Sequence, residues 1–260
     1  MHMPPEPSRK SADRDRVIDA GSAHARVVKD YFASTSQAAV AERSVDYRAM
    51  SIGLRRGLGD WLDVRGKKVL DLGCGTGEFS WLAGDQGASE VVGVNLSEEE
   101  LDFARPHVSA TFVCQDILDY LATRPDDSVD RIYALNILEH LPKDNLVAVL
   151  EESRRVLRAG SIMVAMVPNA TSPFGAMTRY WNITHCLAFT PSSARQLQRL
   201  CGFREIEFRE WGPRPHGVIS IIRFALWQAI RLMIRIRLMV ESGSGKGGIY
   251  TADMLFRLTK

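Results

Sequence analysis

The sequence predicts an α/β fold built on an open, doubly wound, mostly parallel sheet, and three observations predict it. A short apolar strand, Val69 to Leu72, runs directly into Gly73-Cys74-Gly75-Thr76-Gly77, a turn with glycine at every second position. Strand-length apolar runs then alternate with amphipathic helical segments as far as Leu157, and βα repeats of that length imply right-handed crossovers between parallel strands. Ser161 to Val167 is almost continuously apolar, as a parallel strand buried on both faces should be.

The chain has 260 residues, of which 45% are hydrophobic and 25% charged, enough for one continuous core at the upper end of single-domain size. Residues 1–19 are polar and rich in Pro, Ser, Arg and Lys, so a disordered tail is expected there. One domain is expected over 20–260, with N-terminal helices at 20–63, the core at 64–211, a helical insertion at 212–248 and the last strand at 249–260. A net charge of +2 offers no broad field for nucleic acid, and no such partner is expected. Cys74, Cys114, Cys186 and Cys201 show no metal-ligand spacing and no C-x-x-C pair. They read as reduced thiols of a cytoplasmic protein, with no metal assigned.

In chain order, Val27, Val28, Tyr31 and Phe32, then Leu54, Leu58, Trp61 and Leu62, recur at helical spacing before the first strand. Those helices either cover a ligand or simply pack. Glu90 to Asn95 reads as the second strand, and Ser97-Glu98-Glu99-Glu100 as a capping box opening the next helix. Thr111 to Cys114 and Ser128 to Leu135 are the third and fourth strands, and Lys143 to Leu157 is a long helix closed by Arg158-Ala159-Gly160. Thr190-Pro191 opens a helix by N-cap and proline, and Arg204 to Trp211 and Ile249 to Leu258 are the remaining strands.

Glycine at 73, 75 and 77 lets a ligand lie against bare backbone, with the following helix aiming its first amides at it. A dinucleotide fingerprint would need glycine at position 78, which is Glu78. Asp71 ends the strand, where its carboxylate can receive an ammonium group. The spacing Asp-x-Gly-x-Gly-x-Gly resembles the first motif of class I S-adenosylmethionine-dependent methyltransferases, and further segments resemble that family in order between Val69 and Phe208. Gly93-Val94-Asn95-Leu96-Ser97 matches its second motif, Gln115-Asp116-Ile117 the adenine-binding motif, and Asn136-Ile137-Leu138-Glu139-His140-Leu141 the segment at the methionine end.

The resemblance implies a seven-stranded Rossmann-like sheet with its last strand antiparallel, and S-adenosylmethionine as cofactor. It implies cofactor contacts at Asp71, Gly73, Cys74, Gly75, Gly77, Asn95, Leu96, Asp116, Ile117 and Asn136. Asp116 alternatively caps the helix that follows it. The chain departs from the family at Asn95, where an acidic residue usually holds both ribose hydroxyls. On that basis Asn95→Asp is expected to tighten cofactor binding by about 1 kcal/mol.

A methyl group on a sulfonium needs an aligned nucleophile and exclusion of water, and a hydroxyl acceptor also needs a general base. His140, after strand four, and His185, in Tyr180-Trp181-Asn182-Ile183-Thr184-His185, compete for that role, with His185 preferred. The connection Pro168 to Phe189 is too long for a turn, and its Asn169, Tyr180 and Trp181 suit stacking on and hydrogen bonding to a sugar or ring. The resemblance implies a small-molecule or glycan acceptor, with O-methylation of a sugar or glycan-linked hydroxyl. The rivals are a quinone-like, phenolic or amine acceptor, and a non-catalytic adenosylmethionine-binding scaffold.

Ile219 to Val240 reads as an inserted helix with Ile221, Ala225, Ala229, Leu232 and Ile236 on one face and Arg223, Arg231, Arg235 and Arg237 opposite. It is long enough to span a bilayer, but each arginine near its centre would cost about 2.5–3.5 kcal/mol, so no span is expected. Most such faces pack on their own core or in a homodimer. The alternative is peripheral attachment to an anionic membrane, at its inner face.

Overall fold

The computed structural model describes residues 45–243 and 248–260. The tail expected over 1–19 and the helical segment expected from 20 to 44 lie outside the described residues. Helices α1 (Tyr47–Met50) and α2 (Ile52–Leu58) and a 3-10 turn (Gly59–Trp61) lead into β1 (Lys68–Leu72). There follow α3 (Glu78–Asp85), β2 (Glu90–Asn95), α4 (Glu98–Ala104), β3 (Thr111–Cys114), α5 (Ile117–Thr123), β4 (Val129–Leu135), α6 (Lys143–Val156) and β5 (Leu157–Pro168). The chain ends with α7 (Gly175–Tyr180), α8 (Pro191–Leu200), β6 (Glu205–Glu210), α9 (Val218–Ser242) and β7 (Asp253–Thr259).

All strands among the described residues lie in one seven-stranded sheet of order β3-β2-β1-β4-β5-β7-β6. Strand β7 runs antiparallel to both its neighbours, and the other pairs are parallel. The order reverses between β1 and β4, and in open α/β sheets that switch point opens a crevice at the carboxyl ends of the strands. The glycine turn begins at that crevice.

The period-two alternation of strand side chains divides the core. Leu70, Leu72, Ile132, Ala134, Met163 and Ala165 pack with residues of α5, α6 and α8 on one face. Val69, Tyr133, Val164 and Met166 pack with α2, the 3-10 turn and α3 on the other. The buried Tyr133 hydroxyl donates to the Trp61 carbonyl at 2.6 Å, so the second layer is pinned through the sheet's centre. Asp71, two residues after Val69, falls on this face, beneath α3.

The structure corrects two local expectations. Arg158 and Gly160 do not close α6: Leu157 already pairs with Val129, so β5 starts at once, and Arg158 reaches Asp130 at 2.6 Å. The expected apolar face of the inserted helix does not pack on the domain's own core either. Along α9 only Ser220 is buried, while Ile221, Leu232 and Ile236 are 55%, 58% and 47% exposed. The inward stripe is Trp227, Arg231 and Ile234. Glu210 on β6 selects it, taking the Arg231 guanidinium at 3.2 Å and the Trp227 indole N–H at 3.4 Å. Among the described residues no helix is long and apolar enough to cross a membrane.

Candidate active site

Each glycine of the turn meets a different demand. Gly73, Gly75 and Gly77 all have positive φ, at 71°, 51° and 82°, the left-handed region that side chains disfavour. A Cβ on Gly73 would lie 2.6 Å from Ile137 Cγ1, and one on Gly77 3.1 Å from Phe112. Those two glycines allow close packing. A Cβ on Gly75 would meet nothing nearer than Glu100 Oε2 at 3.9 Å, so Gly75 presents bare backbone to open space. That is where a ligand can lie. Cys74 is 8% exposed. Its sulfur would touch a Cβ on Gly93 at 2.8 Å, so this side chain wedges β1 against β2, and only its backbone borders the crevice. Tyr47 braces the turn from behind, its buried hydroxyl donating to the Thr76 carbonyl at 2.7 Å.

The expected cofactor residues border the same crevice in different ways. Leu96, after β2, is 54% exposed, an apolar surface suited to one face of an adenine. Asp116 accepts from the Leu118 and Asp119 amides through Oδ1 at 2.8 and 3.4 Å, so it caps α5, as its alternative reading held. Ile117 is 6% exposed and belongs to the core, leaving only its amide for a ligand. Asn136 holds φ at 57°, one of two non-glycine residues with positive φ among those described. Strain of this kind clusters at functional sites. Asn95 donates through Nδ2 to Glu100 Oε2 at 2.7 Å. Asp71 is 2% exposed and accepts from Ser80 Oγ at 2.7 Å, so its carboxylate holds the start of α3 rather than facing solvent. Burial pushes it up to about 7, against the Ser80 hydrogen bonds.

On the other side of the crevice the segment after β4 is stitched to the connection after β5. The Glu139 carbonyl accepts from the amides of Cys186 and Leu187 at 2.7 and 3.1 Å. The rings of His140 and His185 meet edge to face with centroids 4.7 Å apart. His185 is 9% exposed, and its Nδ1 is 3.0 Å from the Thr178 carbonyl. That nitrogen must carry the hydrogen, which places the lone pair of the neutral ring on Nε2. His140 Nδ1 is 2.8 Å from Thr184 Oγ1, whose own proton goes to Asn182 Oδ1. Burial, with a contribution from Arg179, holds His185 below the ordinary imidazole value, so it is neutral at pH 7. Glu139 is 1% exposed, and burial pushes its carboxyl up to about 8. Among the described residues Glu139, His140 and His185 form the one group whose ligand atoms, all within 4.8 Å of one another, could hold a metal ion.

Of the expected acceptor residues, Asn169 is corrected. It is fully buried, donating to the carbonyls of Ile249 and Thr251 and accepting from the Thr171 amide and hydroxyl. Its amide is spent on joining the connection to the start of β7. Tyr180 and Trp181 are 78% and 82% exposed and stay available to a partner. Sequence reasoning did not single out Glu100, Glu139, Thr178 or Thr184, each of which fixes a group at the crevice.

Residues 69–160 match the family described as a methyltransferase domain, and they hold the glycine turn, Asn95, Asp116 and Asn136. The chain carries a class I S-adenosylmethionine-dependent methyltransferase domain. Methyltransferase GfsG of Streptomyces halstedii is 42% identical to it over 106 residues, 38% of this chain and 37% of that protein. A ubiquinone biosynthesis O-methyltransferase of Idiomarina loihiensis is 31% identical over 144 residues, 52% of this chain and 55% of that one. The chain thus spans between about a third and just over half of these curated relatives. A S-adenosylmethionine-dependent methyltransferase structure from Archaeoglobus fulgidus superposes with a TM-score of 0.61 at 22% identity, covering 83% of this chain and 95% of that one, which shows the shared fold. The methyltransferase domain fits its cofactor, S-adenosylmethionine: the open side of Gly75, the exposed Leu96 and the strained Asn136 all face one crevice.

Proposed function

We propose that the chain transfers a methyl group from S-adenosylmethionine to a hydroxyl on an acceptor with an apolar body, either a phenolic or quinone-like ring or a lipid-linked glycan. The observation that carries this reading is an apolar cleft on the connection that also carries His185. The cleft, of about 170 Å³, is lined among others by Phe174, Trp211, Trp227, Ile234 and Tyr250. Nearby in sequence, Tyr180, Trp181 and Ile183 expose 78%, 82% and 80% of their surface. Such a surface suits a ring or an acyl chain better than a bare, strongly hydrated sugar. The relatives named for ubiquinone biosynthesis are O-methyltransferases, which supports oxygen as the acceptor atom.

Bound S-adenosylmethionine supplies a methyl group on a sulfonium, so the protein's task is alignment and proton removal. The glycine turn, Leu96 and the backbone from Asn136 onward would hold the cofactor. His185, neutral and hydrogen-bonded through Nδ1, takes the hydroxyl proton on Nε2. The bonds from Cys186 and Leu187 to the Glu139 carbonyl hold the connection against the segment after β4, where it would limit water near the base. Transfer of isotopically labelled methyl to a panel of phenols, lipid-linked sugars, free sugars and amines tests the proposal. Label on an oxygen of a phenol or lipid-linked sugar is expected. Label only on amines or free sugars, or none despite cofactor binding, overturns it.

The outward face of α9 belongs to the same reading. Ile221, Leu232 and Ile236 face solvent on a helix whose Arg223, Arg235 and Arg237 are also exposed, a composition suited to an anionic lipid surface. The protein is expected to float with anionic vesicles at low salt and to release at high salt. Leu232→Asp combined with Ile236→Asp should abolish flotation without shifting Tm. A protein that stays down and sediments as a dimer would assign the face to a second copy.

A further inference from the structure

The end of β2 carries an amide where a carboxylate is expected, yet a carboxylate stands beside it. The Ser97-x-x-Glu100 spacing predicts that the Glu100 side chain folds back onto the Ser97 amide. Only half of that box forms: Ser97 Oγ accepts from the Glu100 amide at 3.3 Å. The Glu100 carboxylate instead turns to Asn95, accepting from Nδ2 at 2.7 Å. The same oxygen is 3.9 Å from the Cβ position of Gly75, and its charge is felt by the buried Cys74 thiol. Glu100 is half-buried. Its carboxylate therefore stands between the carboxyl ends of β1 and β2, on the open side of the glycine turn.

We propose that Glu100, oriented by Asn95, is the residue that holds the vicinal hydroxyls of the cofactor's ribose. The inference rests on the methyltransferase reading. A carboxylate accepts from both hydroxyls of a cis-diol, which a single amide oxygen does less well. Donation from Asn95 Nδ2 fixes the amide so that Oδ1 is turned away from Glu100. The long Glu100 side chain is thereby held at the place a shorter acidic residue on β2 would reach directly.

This assignment reverses the expected effect of Asn95→Asp. Two carboxylates would then stand at hydrogen-bond distance, and repulsion would either drive Glu100 away or force one of them to keep a proton. Cofactor binding should weaken.

Calorimetric titration of the full chain with adenosylhomocysteine and with its 2′,3′-dideoxy analogue tests the proposal. Glu100→Gln, nearly isosteric, is expected to weaken adenosylhomocysteine roughly 10- to 100-fold, as for loss of hydrogen bonds to a charged group, and to leave the dideoxy analogue within about twofold of wild type. Asn95→Asp should also weaken adenosylhomocysteine at neutral pH. Unchanged adenosylhomocysteine binding by Glu100→Gln, equal weakening of both ligands, or tighter binding by Asn95→Asp would overturn the assignment. Failure of the wild-type chain to bind either ligand would instead remove the methyltransferase reading, and this assignment with it.

Discussion

Gly75→Val is expected to reduce adenosylhomocysteine binding by roughly 5- to 150-fold while leaving the domain folded. The Cβ of the new side chain would meet nothing nearer than Glu100 Oε2 at 3.9 Å, so the first added carbon finds room in the native packing. What the fold loses is the left-handed conformation at φ 51°, which costs a non-glycine residue roughly 1–2 kcal/mol and should lower Tm by several degrees. The bound ligand meets the branched methyls directly, and forcing extra methyls into a filled site costs about 1–3 kcal/mol. Gly73→Val is the contrasting case. Its Cβ would sit 2.6 Å from Ile137 Cγ1, so stability and binding should fall together. A folded Gly75→Val protein that binds adenosylhomocysteine as wild type does would remove the cofactor from this turn.

His185→Ala is expected to lower kcat by about 10²- to 10⁴-fold, the range of a general base, and to change adenosylhomocysteine affinity little. The pH profile separates base from scaffold. The neutral ring is the active form, and His185 titrates below the ordinary 6.5 because it is buried and faces Arg179, with His140 and the buried Glu139 packed beside it. Turnover should therefore be flat near neutrality and decline only as pH falls through that lowered value; His185→Ala should remove this acid limb. Equal losses in kcat and cofactor affinity, or an acid limb that persists in His185→Ala and vanishes in His140→Ala, would move the role to positioning or to His140.

The sheet was legible because its signals are periodic and redundant. Val69–Leu72, Glu90–Asn95 and Ser161–Val167 each read as strands from their apolar residues and their alternation with helical segments, and the glycine spacing marks the crevice. What escaped the sequence depends on choices between competing hydrogen bonds. Glu100 sits in a spacing that reads as a capping box, and only the nearby Asn95 amide diverts its carboxylate. Asn169 at the end of β5 reads as a ligand contact, yet four backbone and side-chain partners consume its amide. The wheel of α9 has apolar residues on both sides, so hydrophobicity did not decide its orientation; a single carboxylate, Glu210, did. The histidine pair was named by sequence, but the threonine and carbonyl that set each ring's tautomer lie up to 44 residues away in sequence.

The central claim is that one crevice, formed by the turn after β1 and the ends of β2, β3 and β4, holds adenosylmethionine. Hydrogen exchange of the wild-type chain with and without adenosylhomocysteine measures this directly. Added ligand should slow exchange in peptides covering 72–78, 95–100, 115–118 and 136–141 and leave β6 and α9 unchanged. No change in those four segments at saturating ligand, or protection confined to α9 and the cleft beneath it, would contradict the account.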